Sequence, residues 1–261
     1  MYAENGNIID SDQFGDPDSR TFFMRVHFSL TDTEETTVEH LRSSFTVVAE
    51  EHQINWQLWS ASEKPRVLIM VSRMDHCLVD LLYRTRIGEL PVEIPLIASN
   101  HREAYPLAAA QDIDFRHLPV TAETRVSQEN RLLEEIQSRD IDMVVLARYM
   151  QVLSAEFCEQ LPGQIINIHH SFLPSFKGAK PYHQAFDRGV KLIGATAHYV
   201  TEQLDEGPII EQAVERVDHR MTATQLAAVG RDVERIVLAR AVRYHAERRV
   251  LINGQRTVVF Q

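Results

Sequence analysis

The hydrophobic and polar positions divide the chain into two parts with different patterns. The first part contains strand-like runs at 7–13, 22–29 and 54–60, and a helical pattern at 36–51. The turn-rich segment 15–19 joins the first two runs as a hairpin. The predicted order is therefore β-β-α-β over residues 1–62, which is typical of a small α+β domain.

From Pro65 onward, strand and helix patterns alternate. Apolar runs of the kind buried on both faces of a parallel sheet predict strands at 67–72, 94–98, 143–147 and 165–168. Helices are predicted at 75–86, 103–111, 123–138 and 222–247, with further strands at 195–200 and 209–217. Asn253-Gly254 predicts a hairpin between 250–252 and 257–260. The polar segment 60–65 marks the boundary, and residues 66–261 are predicted to form an α/β domain with a doubly wound, mostly parallel sheet.

Composition narrows the classes of protein. The net charge is -10 and the basic residues do not cluster, which argues against a nucleic-acid partner. Residues 1–20 are polar and acidic rather than signal-like, and no apolar run approaches the ~18 residues that span a membrane. Cys77 and Cys158 lie in different predicted elements, so we expect two reduced, buried thiols in a cytoplasmic protein rather than a disulfide or a catalytic thiol.

Polar side chains follow the predicted strand at 165–168. Asn167 and His169 are two residues apart, so they point to the same side of the sheet. Ligands bind beyond the carboxyl ends of strands in such sheets, and an amide beside an imidazole can polarise a carbonyl and move a proton. On the pattern alone, a hydrogen-bonded structural pair at a strand end is the favoured interpretation.

A third candidate is Asp205, which precedes the turn at Gly207-Pro208. Its carboxylate is explained either as part of a solvated acidic loop or as the group that orients His169. A metal site built from His169, His170, His183 and His198 is not favoured, because their spacing matches no zinc signature. No phosphate-binding glycine motif or nucleophile elbow occurs either.

Taken together, segments 148–153, 167–178, 177–186 and 198–210 resemble the folate-dependent formyltransferases, and within them the formyltetrahydrofolate deformylase family. The resemblance covers essentially the whole chain. It implies a Rossmann-like formyltransferase domain that hydrolyses 10-formyltetrahydrofolate to tetrahydrofolate and formate. Such an enzyme balances one-carbon folate pools and supplies formate for purine biosynthesis. It needs no metal or redox cofactor, since the folate is the substrate.

The resemblance also assigns site residues by motif. It implies a catalytic trio of Asn167, His169 and Asp205. Folate contacts are expected at the strand end after 143–147 and in the loop after 195–200, with His198 supporting Asp205. The implied substrate-binding residues are Arg148, Met150, Gln151, Leu153, His198, Val200, Thr201 and Glu202.

Residues 1–62 resemble part of an ACT domain, a ferredoxin-like module that often binds amino acids. Residues 1–6 match only the end of the module's first helix, so the first strand and most of that helix are expected to be missing. Loss of a central strand would leave backbone groups of its neighbours unpaired. We therefore expect a truncated or degenerate module, an amino-acid effector site that the missing segment argues against, and partner contacts in a homo-oligomer.

The choice of nucleophile depends on the loop after the first strand of the second domain. The related glycinamide ribonucleotide transformylases bind their acceptor's phosphate on a glycine-rich loop at this place. Residues 72–78 contain no glycine and include Asp75, which makes a poor phosphate cradle and favours water as the nucleophile. Two alternatives stay open: a formyltransferase acting on an amine, and a non-catalytic protein that binds folate or senses amino acids.

Overall fold

The computed structural model describes residues 6–30, 37–174 and 181–261. The chain divides into two compact units, with the boundary between Lys64 and Pro65. Three sequence-based expectations fall on residues outside the described ranges. They are the match of residues 1–6 to the end of a helix, the start of the first helix at residue 36, and positions 175–180 of the resemblance motifs. Of residues 1–6 the structure describes Gly6, which begins a strand rather than ending a helix.

The first unit contains a hairpin and one helix. Strands β1 (Gly6–Asp16) and β2 (Thr21–Leu30) pair antiparallel, as predicted. Asp16 forms the turn, because its carboxylate accepts from the Asp18 N–H at 3.0 Å and from the Ser19 hydroxyl at 2.8 Å. Helix α1 (Val38–Glu51) begins after Thr37, whose side chain accepts from the His40 N–H.

The strand predicted at 54–60 is wrong, because these residues form no ladder with a described strand. One of their backbone groups is satisfied by a side chain instead: the Leu58 carbonyl accepts from Arg42 Nη2 at 2.8 Å and Nε at 3.3 Å. Trp56 packs edge-on against Phe45 of α1, with ring centroids 4.8 Å apart. Side-chain packing on α1 therefore replaces sheet pairing, and the described order is β-β-α.

The second unit is built on a seven-stranded sheet in the order β5-β4-β3-β6-β7-β8-β9. The first five strands in this order are parallel, and β8 and β9 add antiparallel to the edge beyond β7. The predicted mostly parallel sheet is confirmed. The strands are β3 (Arg66–Val71), β4 (Glu93–Ser99), β5 (Asp114–His117), β6 (Met143–Leu146), β7 (Ile165–His169), β8 (Leu192–Tyr199) and β9 (Ile209–Arg216).

Helices cover both faces of this sheet. They are α2 (His76–Arg86), α3 (Tyr105–Ala109), α4 (Arg125–Ser138), α5 (Ala155–Glu159), α6 (Pro181–Asp187) and α7 (Ala223–Ala246). Residues of alternate strand positions enter different apolar clusters: Ile69 packs with α2 and α7, while Leu68 packs with α4 and α5. In the described ranges, no helix combines the length and apolar character that crossing a membrane requires.

Three elements were not predicted, β5, α5 and α6, because each is too short to show a hydrophobic period. Helix α7 begins as a capping box, in which Thr222 and Gln225 exchange side-chain and backbone hydrogen bonds. Strands β10 (Val250–Asn253) and β11 (Arg256–Val259) form the predicted hairpin. Asn253 pairs with Arg256, so the turn begins one residue later than predicted, at Gly254 with φ of 60°.

Candidate active site

The carboxyl end of β7 carries the first two candidate residues. Asn167 pairs with His198 and His169 with Thr196 across the β7–β8 ladder. His169 is buried, with 4% of its surface exposed, and Asn167 is partly exposed. The two side chains therefore lie on one side of the sheet at the edge where ligands of open α/β sheets bind.

His198 fixes the orientation of Asn167. His198 Nδ1 lies 2.8 Å from the Tyr199 carbonyl oxygen, which can only accept, so Nδ1 carries the proton. Burial lowers the pKa of His198, which keeps the ring neutral and leaves Nε2 as an acceptor. Asn167 Nδ2 is 3.2 Å from that Nε2 and donates to it. One N–H of the amide is thus committed to His198, and this sets the plane of the amide.

Asp205 reaches the same place from the loop between β8 and β9. Its Oδ1 is 3.2 Å from His169 Nδ1 and 3.8 Å from His198 Nε2, and its side chain is 12% exposed. Burial alone would raise the pKa of Asp205, but the hydrogen bond from His169 and the nearby imidazoles hold it below its usual value. Asp205 is therefore ionised near neutral pH.

The loop that carries Asp205 is held by a close approach at Gly207. A Cβ atom at Gly207 would lie 1.8 Å from the Tyr199 carbonyl oxygen, so only glycine fits there. The Tyr199 N–H donates to the Pro208 carbonyl at 2.9 Å and ties the loop's far end to β8. Asp205 itself has a positive φ of 57°. The Gly-Pro signal in the sequence therefore marks the position that turns Asp205 back toward His169.

His169 lies at the centre of this arrangement, and its two ring nitrogens have different surroundings. Its Nδ1 faces Asp205, whereas its Nε2 is buried and has no hydrogen-bond partner among the described residues. A buried ring nitrogen without a partner is uncommon in folded proteins and calls for an explanation. An imidazole held by a carboxylate at one nitrogen and open at the other is arranged to accept or donate a proton at the open atom.

The residues predicted to contact folate fall into separate groups. Met150 and Gln151 line a groove over the ends of β3, β4 and β6, together with Ser72, Arg73, Met74, Asn100 and His101. Leu153 and Val200 instead pack partly buried against the apolar cluster that contains Tyr149. Thr201 is partly exposed and Glu202 exposed in the loop before Asp205.

Arg148 occupies a third place. Its φ is 63°, a left-handed conformation that is unusual for a side chain of this size. The side chain is only 12% exposed, and its Nε is 3.4 Å from Glu234 Oε2 on α7. This interior location differs from that of the other predicted contacts.

Glu234 belongs to a buried polar cluster that sequence reasoning missed. Its Oε2 is 2.8 Å from His76 Nε2, and its Oε1 accepts from the Tyr182 hydroxyl at 2.5 Å. Burial would raise the pKa of Glu234, but the bonds from His76 and Tyr182 and the charge of Arg148 keep it below its usual value. We call Glu234, Arg148, His76 and Tyr182 the Glu234 cluster.

The Glu234 cluster lies beside the catalytic candidates. His170 links the two groups, with its ring centroid 5.2 Å from that of His169 and 6.4 Å from that of Tyr182. Burial and the charge of Arg148 lower the pKa of His170 to about 4, so its ring is neutral. One sequence signal could have revealed the cluster: Glu234 occupies the apolar stripe of α7, between Val233 and Val237.

Both cysteines are free and buried. Burial raises the pKa of Cys77, and it raises the pKa of Cys158 to about 11, so neither is a reactive thiolate. Within the described ranges, one group places metal-type ligand atoms within 4.8 Å of one another: His76, Cys77 and Glu234. The Arg148 guanidinium lies beside this Glu234 carboxylate, and a bound cation would have to lie next to that positive charge.

With this geometry in view, comparison with known proteins defines the class. The family model described as formyl transferase matches residues 65–242. A formyltetrahydrofolate deformylase of Synechocystis is 51% identical, and the match covers 100% of this chain and 91% of that relative. The crystal structure of a formyltetrahydrofolate deformylase from Burkholderia mallei is 53% identical with a TM-score of 0.95, covering 100% of this chain and 92% of the other.

A more distant likeness covers less of the chain. A glycinamide ribonucleotide transformylase from Symbiobacterium toebii is 31% identical with a TM-score of 0.71, covering 79% of this chain and 99% of its own. The chain is therefore a member of the formyl transferase class. Within it, the chain belongs to the formyltetrahydrofolate deformylase family.

Proposed function

We propose that this chain hydrolyses 10-formyltetrahydrofolate to tetrahydrofolate and formate, with Asn167, His169 and Asp205 as its catalytic residues. The deformylase relatives support the reaction. The single observation that carries the residue roles is His169: its Nδ1 is held by Asp205, and its buried Nε2 has no partner in the described part of the chain. That nitrogen can accept a proton from a reacting group or donate one to it.

The first step activates water. In the neutral ring, Nδ1 carries the proton that is donated to Asp205, so Nε2 bears a lone pair. A water beside Nε2 gives its proton to the ring as its oxygen attacks the formyl carbon. The ionised Asp205 stabilises the imidazolium that forms, because opposite charges 3.2 Å apart attract strongly away from bulk water.

The second step stabilises and collapses the tetrahedral intermediate. Attack places negative charge on the former carbonyl oxygen, which accepts from the remaining Asn167 N–H and from the protonated His169 Nε2. Asn167 is preorganised for this by its bond to His198, so little reorientation is needed during reaction. The proton then passes to N10, the C–N10 bond breaks, and formate leaves.

Folate is proposed to bind along the sheet edge through the predicted contacts. The exposed Met150 and the half-buried Gln151 line the groove beyond β6, and their location supports a role in holding part of the folate. Leu153, Val200, Thr201 and Glu202 are proposed to contact the pterin, with His198 acting through Asn167 and Asp205. No metal or redox cofactor takes part in these steps.

Two features of the chain extend the proposal. Buried, free cysteines support a cytoplasmic enzyme.

Residues 1–62 are proposed to be a partial ACT domain, and residues 66–261 the catalytic domain. The hairpin of the first unit exposes large apolar side chains, including Ile9 at 57% and Phe22 at 61%, and an isolated two-stranded sheet is only marginally stable. This supports a homo-oligomer, which light scattering of the purified chain would test.

One assay tests the proposed reaction. Purified protein is incubated with 10-formyltetrahydrofolate, with and without primary amines, and formate, tetrahydrofolate and formylated amine are measured. We expect equimolar formate and tetrahydrofolate at a rate that does not depend on the amine. Formylated amine without formate would instead identify an amine formyltransferase, and tight folate binding without turnover would identify a binding protein.

A further inference from the structure

The fold alone does not choose between water and an amine as the nucleophile. The Symbiobacterium protein is named for glycinamide ribonucleotide, and 99% of that chain superimposes on this one with a TM-score of 0.71. The choice of nucleophile therefore depends on side chains near the formyl group. The Glu234 cluster is a group of buried charged side chains that lies beside the proposed trio through His170 and has no role in the steps above.

Arg148 lies at the same edge of the sheet as His169. Strands β6 and β7 pair with Leu146 opposite Asn167, so Arg148 and His169 each follow these paired residues by two positions. The left-handed backbone of Arg148, with φ of 63°, directs its side chain toward α7 and Glu234. Non-glycine residues in this conformation are strained and persist where the surrounding structure holds them.

The surroundings of Arg148 hold it firmly. The Arg148 carbonyl accepts from the Ser72 N–H at 3.2 Å, and the Ser72 hydroxyl accepts from the Met150 N–H at 3.0 Å. These bonds tie the loop after β3 to the loop after β6. Glu234 is 1% exposed and holds the guanidinium from the other side, at 3.4 Å from Nε.

Hydrogen bonding within the Glu234 cluster does not account for the buried Arg148 guanidinium. Arg148 Nε and Nη1 and His76 Nδ1 are buried and have no hydrogen-bond partner among the described residues. Unpaired buried donors are destabilising, and an apolar side chain of similar volume would fill the same space without them. A role in selecting the reaction explains why such a side chain occupies this position.

We infer that the Arg148 side chain, held by Glu234, His76 and Tyr182, fills the space beside the His169–His170 strand end through which an amine would reach the formyl carbon. This inference rests on the proposed function. Water is small enough to reach the carbon and an amine is not. When the space is opened, an amine nitrogen attacks the formyl carbon and the C–N10 bond breaks. N10 takes up a proton, the amine nitrogen loses one, and a formylated amine and tetrahydrofolate result.

The test compares two double variants that remove the same charges. Arg148→Gly with Glu234→Gln opens the space, and glycine adopts a φ of 63° without strain. Arg148→Met with Glu234→Gln removes the charges but fills the space. Each variant and the wild type receive 10-formyltetrahydrofolate with hydroxylamine or glycinamide, and the ratio of formylated amine to formate is measured. The ratio does not depend on how fast each variant works.

We expect the glycine variant to raise this ratio on the order of tenfold or more, the discrimination that one or two methylene-sized groups give in a pocket. The methionine variant should keep the wild-type ratio. If both variants keep it, or both raise it equally, the inference is overturned while hydrolysis by the wild type stands. Absence of formate from the wild type would instead overturn the proposed function.

A second variant covers the case in which the glycine variant does not fold. Tyr182→Ala removes the ring that lies beside His170 and bonds to Glu234, and it leaves the Arg148–Glu234 charge pair in place. Thermal unfolding checks that it is folded. A folded Tyr182→Ala protein should also raise the ratio, and a wild-type ratio from that protein would contradict the inference.

Discussion

Two carboxylates lie on either side of the His169–His170 pair, and their surroundings differ. Asp205 is on a loop, is 12% exposed, and is contacted by two imidazoles at 3.2 and 3.8 Å. Glu234 is inside a long helix, is 1% exposed, and has partners on both oxygens. Both have lowered pKa values, so a perturbed pKa does not by itself distinguish them.

A buried nitrogen without a partner among the described residues occurs beside both carboxylates. The partner of Asp205 is His169, whose other nitrogen has no partner among the described residues, so a proton can move through that ring. Glu234 is held on both oxygens, and its partners His76 and Arg148 also have buried nitrogens without partners in the described part of the chain. An unpartnered nitrogen therefore does not by itself identify the catalytic carboxylate. What sets Asp205 apart is that its partner His169 lies on the same strand as Asn167, whose amide can serve as an oxyanion donor.

The largest expected effect concerns the contribution of the Glu234 cluster to the stability of the fold. Glu234→Ala leaves the Arg148 guanidinium buried without its counter-charge, which should lower the free energy of unfolding by about 3–5 kcal/mol. Urea unfolding measures this. Asp232→Ala on the same helix is the control, since Asp232 is 67% exposed and should change stability little. A Glu234→Ala protein as stable as the control would mean that the Arg148–Glu234 pair does not stabilise the fold.

Asn167→Ala should reduce turnover rather than stability. One oxyanion-hole donor contributes roughly 3–4 kcal/mol to the transition state, so formate release should fall about a hundredfold or more with folate affinity little changed. Steady-state rates and a folate binding titration measure the two quantities. Asn130→Ala, at an exposed position of α4, is the control. Near-full formate release from Asn167→Ala would remove Asn167 from the mechanism.

A smaller effect is expected from a change in the packing around the Glu234 cluster. Gly230 of α7 lies against the Tyr182 ring, and a Cβ at Gly230 would be 2.1 Å from Tyr182 Cζ. Gly230→Ala should therefore displace Tyr182 from Glu234 and lower the free energy of unfolding by about 1–3 kcal/mol. In a Tyr182→Ala background the same change should be neutral or stabilising, since alanine favours helix. Equal costs in both backgrounds would contradict this contact.

The smallest expected effect is a pH dependence of the unfolding free energy, caused by His170, whose ring lies between those of His169 and Tyr182. His170 has a pKa of about 4, below the ordinary 6.5, because burial and Arg148 disfavour its charged form. Between these values the unfolded chain binds more protons, so the unfolding free energy falls as pH decreases through this window. From pH 7.5 to 5.5 this amounts to about 1 kcal/mol. Urea unfolding of His170→Gln should lack this component, and an unchanged slope would show that His170 does not titrate in this way.

The sequence predicts the pair on β7 better than it predicts the third residue. Asn167 and His169 share a side because strand side chains alternate, and this is a local property. The approach of Asp205 to His169 depends on a loop that folds back through Gly207 against Tyr199, so only the family motif could anticipate it. The role of Asp205 therefore rests on tertiary structure that no spacing rule gives.

The features that the sequence did not predict correctly have physical reasons as well. Glu234 and His76 are 158 residues apart and lie on different helices, so their contact depends on how α2 and α7 pack. The segment 54–60 has the alternation of a strand but no described neighbour to pair with, and pairing rather than pattern makes a strand. Most of the sheet was predictable, since its buried strands are continuous apolar runs between helices of clear period.

The proposed role of Asp205 is to activate water through His169. Formate release from Asp205→Asn at saturating 10-formyltetrahydrofolate tests this role, with Glu206→Gln in the same loop as the control. We expect a loss of turnover of about 10²–10⁴-fold in Asp205→Asn with folate still bound, and near wild-type turnover in the control. Turnover of Asp205→Asn within a few-fold of wild type would contradict it.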